Sequence, residues 1–331
     1  MYGRDSFDRD YLPQQWPFSE MRTVLVTGGY GFLGRAVGQK FKREGCRVLG
    51  IGRGRWAPAE ARSVGFDSWL DADVSVSNLM TFDEQFDTVI HCGGNGSVGY
   101  SLTNPLQDFH KTVQGTVELL EYLRLKDSGT LVVYPSSAGV YGAKEDRPIF
   151  ENDSLNPISP YGYHKRMAEQ LLEMHSRTYG TRVAVIRFFS IYGQGLTKQL
   201  LWDACGKLVQ HKNSGPAVFW GTGEETRDWI NSRDAADLTF MVSRSSETYT
   251  FLNGANGKRV TVHDTLQMLK RALGSPVEIA FNGLVREGDP RFYHADISRA
   301  EALDWHPSIL LSDGIQGYVD WLIARPRTDI D

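Results

Sequence analysis

The sequence predicts an α/β fold, a doubly wound parallel sheet followed by a smaller C-terminal α/β region. Short β-branched apolar runs recur between stretches of helical periodicity, and the runs are apolar throughout rather than alternating. This rhythm breaks after about residue 190. In chain order, Thr23–Thr27 (TVLVT) reads as a strand that stops at a glycine cluster. Phe32, Leu33, Ala36, Val37 and Phe41 then recur at roughly helix spacing until Gly45 ends the pattern. Arg47–Ile51 (RVLGI) is the second strand. Thr88–His91, Thr130–Tyr134 and Arg182–Arg187 supply further buried strands, and helices are expected near 109–126 and 161–179. Beyond residue 190 proline, glycine and tryptophan become more frequent and the strands shorter. The expected organisation is an arm over residues 1–20, one unit made mainly of 21–190, and a second made mainly of 191–331, with some exchange of segments. The arm (MYGRDSFDRDYLPQQWPFSE) is polar and aromatic without a clear period, and is expected to be mobile.

The chain has 331 residues, 41% hydrophobic and 23% charged, an ordinary globular balance. A formal net charge of -4 gives no broad attraction to nucleic acid or to an anionic membrane. An anionic ligand must therefore be held by local basic groups or backbone amides. Cys46, Cys92 and Cys205 lie far apart without metal-ligand spacing, and read as reduced thiols of a cytoplasmic protein. No apolar run approaches a membrane span, and the N-terminus lacks a basic-then-apolar signal pattern.

The segment Thr27–Gly34 (TGGYGFLG) places Gly28, Gly31 and Gly34 between a strand and a helix. In that setting the three glycines serve a tight turn, close backbone approach to a pyrophosphate, and close packing of helix on strand. The helix N-terminus, with Phe32 and Leu33 in its first turn, offers free N–H groups and a positive dipole end to the phosphates. This is the dinucleotide cradle of a Rossmann-type sheet. The end of the second strand commonly carries an acid for the adenosine ribose. Here it reads Gly50-Ile51-Gly52-Arg53-Gly54-Arg55 with no acid, which suits a ribose 2′-phosphate and favours NADP(H), with NAD(H) as the alternative. Asp73 and Val74 are expected beside the adenine.

Val132–Gly142 (VVYPSSAGVYG) is a buried strand running into hydroxyl-bearing residues, and Pro160–Lys165 (PYGYHK) begins a helix. Tyr161 and Lys165 are four apart and share a helix face. An ammonium near a phenol favours the phenolate, so the pair predicts a tyrosine tuned for acid–base work. Ser137 is placed to hold the same substrate hydroxyl.

In these segments the chain resembles the extended short-chain dehydrogenase/reductases, of the nucleotide-sugar epimerase/dehydratase type whose best-known member is UDP-galactose 4-epimerase. The similarity runs from about residue 22 to 325 and rests on TGGYGFLG, PSSAGVYG and SPYGYHK in that order. It implies that Ser137, Tyr161 and Lys165 are the catalytic triad and that Lys165 also binds the nicotinamide ribose. Arg187–Gly193 (RFFSIYG) resembles the loop beside nicotinamide and sugar, with Ser190 where an asparagine is common. Gly221–Ile230 (GTGEETRDWI) and Arg286–Asp289 (REGD) resemble segments that bring arginines to a nucleotide diphosphate, here Arg227 and Arg286. Tyr293 falls where the resemblance implies a sugar-facing tyrosine.

Departures narrow the chemistry. The 4,6-dehydratases carry Thr-Asp-Glu where this chain has Ser137-Ala138-Gly139, so elimination of water lacks its acid pair. His91-Cys92-Gly93-Gly94 replaces the usual His-x-Ala-Ala, and its two glycines suggest close backbone approach to cofactor or sugar. The expected activity is nucleotide-sugar epimerisation by reversible hydride transfer, at C4, through a keto intermediate. An NADPH-dependent nucleotide 4-keto-sugar reductase is the alternative, and a non-enzymatic NADP-binding regulator a minor one. A homodimer is expected, with no nucleic-acid or membrane partner.

Overall fold

The computed structural model describes residues 22–126, 129–210, 215–284, 288 and 290–325. The arm over 1–20 and Arg286 therefore lie outside the described residues.

Twelve strands are present among the described residues. They are β1 Thr23–Thr27, β2 Arg47–Gly52, β3 Ser68–Asp71, β4 Thr88–His91, β5 Leu131–Ser137, β6 Arg182–Phe188, β7 Ser190–Tyr192, β8 Ala217–Phe219, β9 Thr226–Asn231, β10 Tyr249–Gly254, β11 Arg259–Thr261 and β12 Ile279–Phe281. Seven form one parallel sheet in the order β10-β6-β5-β4-β1-β2-β3. The strand order reverses between β1 and β4. In a doubly wound sheet a ligand binds in the crevice outside the carboxyl ends of the strands at that switch.

Successive side chains of a strand face opposite ways, and each face has its own core. On one side Val24, Val26, Val48, Ile90 and Val133 pack under the helix Phe32–Arg43 and the helix Ser232–Val242. On the other Leu25, Leu49, Val89, Val132 and Val183 pack under the helices Gly115–Lys126 and Pro160–Tyr179. Apolar residues on both faces explain why these strands read as continuous apolar runs.

The later part of the chain builds a three-stranded sheet, β11-β9-β7, and a parallel pair, β12-β8. Its core gathers Tyr192, Leu201, Leu208, Trp229, Leu266 and Tyr318. β10 leaves this part to become the edge strand of the large sheet, beside β6. The expected helix near 109–126 is three pieces: an α-helical turn Pro105–Phe109, a π-helical stretch His110–Gln114, and Gly115–Lys126.

Candidate active site

The cradle is built first. Gly28 stands at φ +65°, and a Cβ there would lie 2.7 Å from the Cys92 carbonyl oxygen. Only glycine lets the turn after β1 press against the turn after β4. A Cβ at Gly34 would lie 2.4 Å from the Gly28 carbonyl oxygen, so helix and loop also meet backbone to backbone. The helix Phe32–Arg43 starts at Gly31, which has no side chain to cap it. Its first N–H groups are left for an anion. Thr27 braces the floor: its hydroxyl accepts from the Gly93 amide at 2.9 Å and bonds the His91 ring at 2.8 Å. Burial brings the His91 imidazolium down to about 3, with the charge of Lys165 acting the same way, so His91 is a neutral strut. These residues fit a dinucleotide pyrophosphate.

At the adenosine end, Arg53 and Asp73 form a forked ion pair, with Nη2 2.6 Å from Oδ2. Both side chains are largely exposed, 73% and 60%. Such a pair is worth little in water and leaves the guanidinium able to turn to a phosphate. Val74 lies near Gly93, 3.5 Å from where a Cβ would stand. Tyr30, inside the glycine loop, packs on Trp56 with ring centres 4.7 Å apart and fills the space over Gly54.

The chemistry-bearing groups converge at the carboxyl end of β5. Ser137 ends that strand, and its hydroxyl caps the following turn by accepting from the Gly139 amide at 3.1 Å. The Tyr161 ring lies beside it, ring and hydroxyl each 3.4 Å from where a Cβ on Gly139 would stand. Tyr161 and Lys165 occupy the first turns of the helix Pro160–Tyr179, which starts with Ser159 accepting from the Gly162 amide and Pro160 at its first position. The Lys165 ammonium is buried, donates to the Pro135 carbonyl at 2.9 Å, and lies 4.6 Å from the centre of the Tyr134 ring.

Tyr161 departs from the expectation drawn from the Tyr-x-x-x-Lys spacing. Burial pushes its phenol up to about 12, against the lowering effect of the nearby Ser137 hydroxyl. The same burial brings Lys165 down to about 8. Desolvation disfavours a charge of either sign, and it is the largest cause of both shifts. Cys92 is driven up to about 12 by burial and is no nucleophile.

Two buried pairs that the sequence did not reveal brace this site. Arg187, at the end of β6, donates to Glu169 of the helix Pro160–Tyr179 at 2.8 Å and to the Glu151 carbonyl at 2.9 Å. Asp108 is fully buried and bonds Asn95 at 2.7 Å on one side and His164 on the other. His164 lay in plain sight within PYGYHK, but its partner is 56 residues away and becomes visible only when the helices pack.

The residues expected at the sugar and its nucleotide, so far as they are described, come from β7, β9 and the segment after residue 290. Ser190 opens β7, half-buried, in register with Trp229. Arg227 is half-buried on β9 and donates to the carbonyls of Thr226 at 2.7 Å and Pro290 at 3.0 Å. Tyr293 is buried, and its hydroxyl donates to the Ala138 carbonyl at 2.8 Å, beside Ser137. In this arrangement Tyr293 steadies the Ser137 turn.

Residues 24–253 match the family model described as the NAD dependent epimerase/dehydratase family. The chain belongs to this family. Within it, the chain is 30% identical to a putative UDP-glucose 4-epimerase of Methanocaldococcus jannaschii, over 92% of this chain and 100% of that one. It is 28% identical to CDP-paratose 2-epimerase of Salmonella typhi, over 90% and 98%. Among solved structures, MoeE5 in complex with UDP-glucuronic acid and NAD superposes with a TM-score of 0.79 at 25% identity, covering 91% of this chain and 99% of that one. This family member is thus a nicotinamide-dinucleotide enzyme on a Rossmann-type sheet, and none of its described helices is long and apolar enough to cross a membrane.

Proposed function

We propose that this protein is a nucleotide-sugar epimerase that inverts a sugar carbon, at C4, through a bound keto-sugar. The observation that carries the reading is the convergence of Ser137 and Tyr161 at the carboxyl end of β5, the Ser137 hydroxyl and the Tyr161 ring each 3.4 Å from where a Cβ on Gly139 would stand, with Lys165 one helical turn on. Similarity to a putative UDP-glucose 4-epimerase supports C4, and similarity to a CDP-paratose 2-epimerase supports epimerisation of a nucleotide sugar. Residues 21–190 would mainly hold the dinucleotide, and residues 191–331 the nucleotide diphosphate through Arg227 and Arg286.

In this mechanism Tyr161 takes the proton of the sugar hydroxyl as the keto-sugar forms and returns it after inversion. Ser137, its oxygen accepting from the Gly139 amide, donates its hydroxyl proton to the same substrate oxygen in both the alcohol and the carbonyl. Lys165, fixed on the Pro135 carbonyl, favours the phenolate whenever it is charged. A dinucleotide held in the Gly28–Gly34 cradle would supply the nicotinamide that serves as hydride acceptor and donor. Ser137-Ala138-Gly139 offers no acid for dehydration.

Arg53 favours NADP(H) over NAD(H), and with it a second reading, NADPH-dependent reduction of a nucleotide 4-keto-sugar. Its exposed fork can exchange Asp73 for a 2′-phosphate. Arg53→Ala is expected to weaken NADP more than NAD in paired titrations; equal losses would remove the argument. A homodimer is also part of the proposal. Tyr163, Met167 and Met174 of the catalytic helix, with Val117 and Leu125 of its neighbour, are large apolar side chains 40–51% exposed. Three free thiols and the lack of a spanning helix among the described residues suit a cytoplasmic enzyme.

Incubation of the purified protein with UDP-glucose, UDP-glucuronate and UDP-N-acetylglucosamine, read by chromatography, tests the reading. Interconversion of one C4 pair by the wild type, lost in Tyr161→Phe, is the expected result. Turnover retained in Tyr161→Phe would refute the catalytic assignment.

A further inference from the structure

The segment after β7, Gly193–Lys198, crosses from the C-terminal part of the chain onto the mouth of the dinucleotide cradle. Gly195 comes within van der Waals reach of Phe32, the first residue of the phosphate-loop helix, 3.7 Å from where a Cβ would stand. Leu196 next to it is buried in the C-terminal core. The segment then turns at Gln199, whose φ of +68° lies in the left-handed region that a non-glycine residue rarely adopts. What holds it there is a bond across the cradle: Gln199 Nε2 donates to the Gly96 carbonyl at 2.9 Å.

This strap delivers a cation. Lys198 Nζ lies 3.4 Å from the position of a Cβ on Gly96, over the loop that follows β4. A second ammonium approaches from the π-helical stretch. Lys111 donates to the Tyr100 hydroxyl at 3.2 Å and lies over that ring, 4.7 Å from its centre. The two cations feel each other, since the charge of Lys111 adds to desolvation in lowering Lys198. Among the described residues neither makes an ion pair with a carboxylate. Two like charges brought together in this way are stabilised by an anion between them.

Position says which anion. The loop after β4 and the loop after β1 face each other at the switch in strand order, where the pyrophosphate lies in a sheet of this kind. Lys111 acts electrostatically on Asp73, and Tyr100 on Arg53, which places this pair on the adenosine side of the cradle. Ser137 and Tyr161 are one strand further along, at β5.

We propose that Lys111 and Lys198 close over the cradle as a two-sided clamp on the pyrophosphate of the dinucleotide, facing the N-terminus of the helix Phe32–Arg43. The clamp joins the two parts of the chain through the cofactor, so the Gly193–Lys198 segment takes part in holding the dinucleotide. An enzyme that must return the same hydride to its substrate gains from a dinucleotide that does not leave between turnovers.

The test is isothermal titration of the full-length protein with ADP-ribose and, separately, with UDP-glucuronate. Lys198→Gln and Lys111→Gln are each expected to weaken ADP-ribose binding by about tenfold or more, the scale of one charge-assisted hydrogen bond. Lys198→Arg should restore most of it, and UDP-glucuronate affinity should stay within about twofold of wild type. Circular dichroism of each variant confirms the fold. Unchanged ADP-ribose affinity in folded Lys198→Gln would overturn the clamp. So would a loss confined to UDP-glucuronate, which would assign the two cations to an acidic sugar instead. Failure of the epimerase reading would leave these ADP-ribose measurements interpretable, because they need no turnover.

Discussion

At the scale of single residues the site is governed by the competition between burial and charge. Tyr161 is held up at about 12 and Lys165 down at about 8, both by desolvation. A phenol this weakly acidic is a poor base until a further positive charge arrives beside it. Tyr161→Phe should therefore reduce kcat by about 10²–10⁴-fold, the range for removal of a general acid–base group, while nucleotide-sugar binding is kept. The lysine sets a pH limit. Its native value is depressed, so it is charged below about pH 8 and neutral above, and only the charged form favours the phenolate. kcat/KM is expected to fall as pH rises through about 8, and Lys165→Met should lower activity throughout and erase that limb. The sequence displayed the participants, because a four-residue spacing places Tyr161 and Lys165 on one helix face. It hid the direction of the tyrosine shift, because burial is a property of the packed site and not of the motif.

At the scale of elements, the catalytic helix is held on the sheet by a buried ion pair. Arg187 and Glu169 are 5% and 4% exposed, and Ser136 also donates to Glu169. Removing one partner strands the other charge in a dry environment. Glu169→Ala is expected to destabilise the fold by about 3–5 kcal/mol, measured by urea unfolding, with Glu169→Gln intermediate. Burial of so costly a pair fixes where Tyr161 stands relative to Ser137. The phosphate loop gives a second test. Gly34→Ala puts a methyl group against the Gly28 carbonyl oxygen, so it should impair dinucleotide binding more than a change on the solvent face of the same helix. The glycine loop was legible because each glycine answers a local demand of strand, turn or helix. Arg187 and Glu169 were not, since 18 residues separate them and only helix-on-strand packing brings them together. β3 was missed for a related reason. Its four residues, Ser68–Asp71, have no buried position, so no apolar run marks them.

At the scale of the whole molecule, the two parts of the chain are interlocked. β10 completes the edge of the large sheet, and the helix Ser232–Val242 packs on the helix Phe32–Arg43, with Phe41 and Phe240 meeting edge to face at 5.3 Å. The change of rhythm near residue 190 marked where the second core begins, but the return of residues 249–254 to the first sheet is long-range and has no local signature. The exposed stripe on the catalytic helix predicts the assembly. Met167→Asp with Met174→Asp should convert a dimer to a monomer in analytical ultracentrifugation, and a monomeric wild type would contradict the dimer. The central claim is that one bound cofactor removes a hydride from the sugar and gives the same hydride back. It is tested most directly with UDP-sugars carrying deuterium at C4, analysed by NMR after incubation with the purified protein. An inverted C4 that keeps its deuterium, with no net consumption of NADPH, is the expected result. Absence of inversion, with NADPH consumed in proportion to a 4-keto sugar, would contradict it.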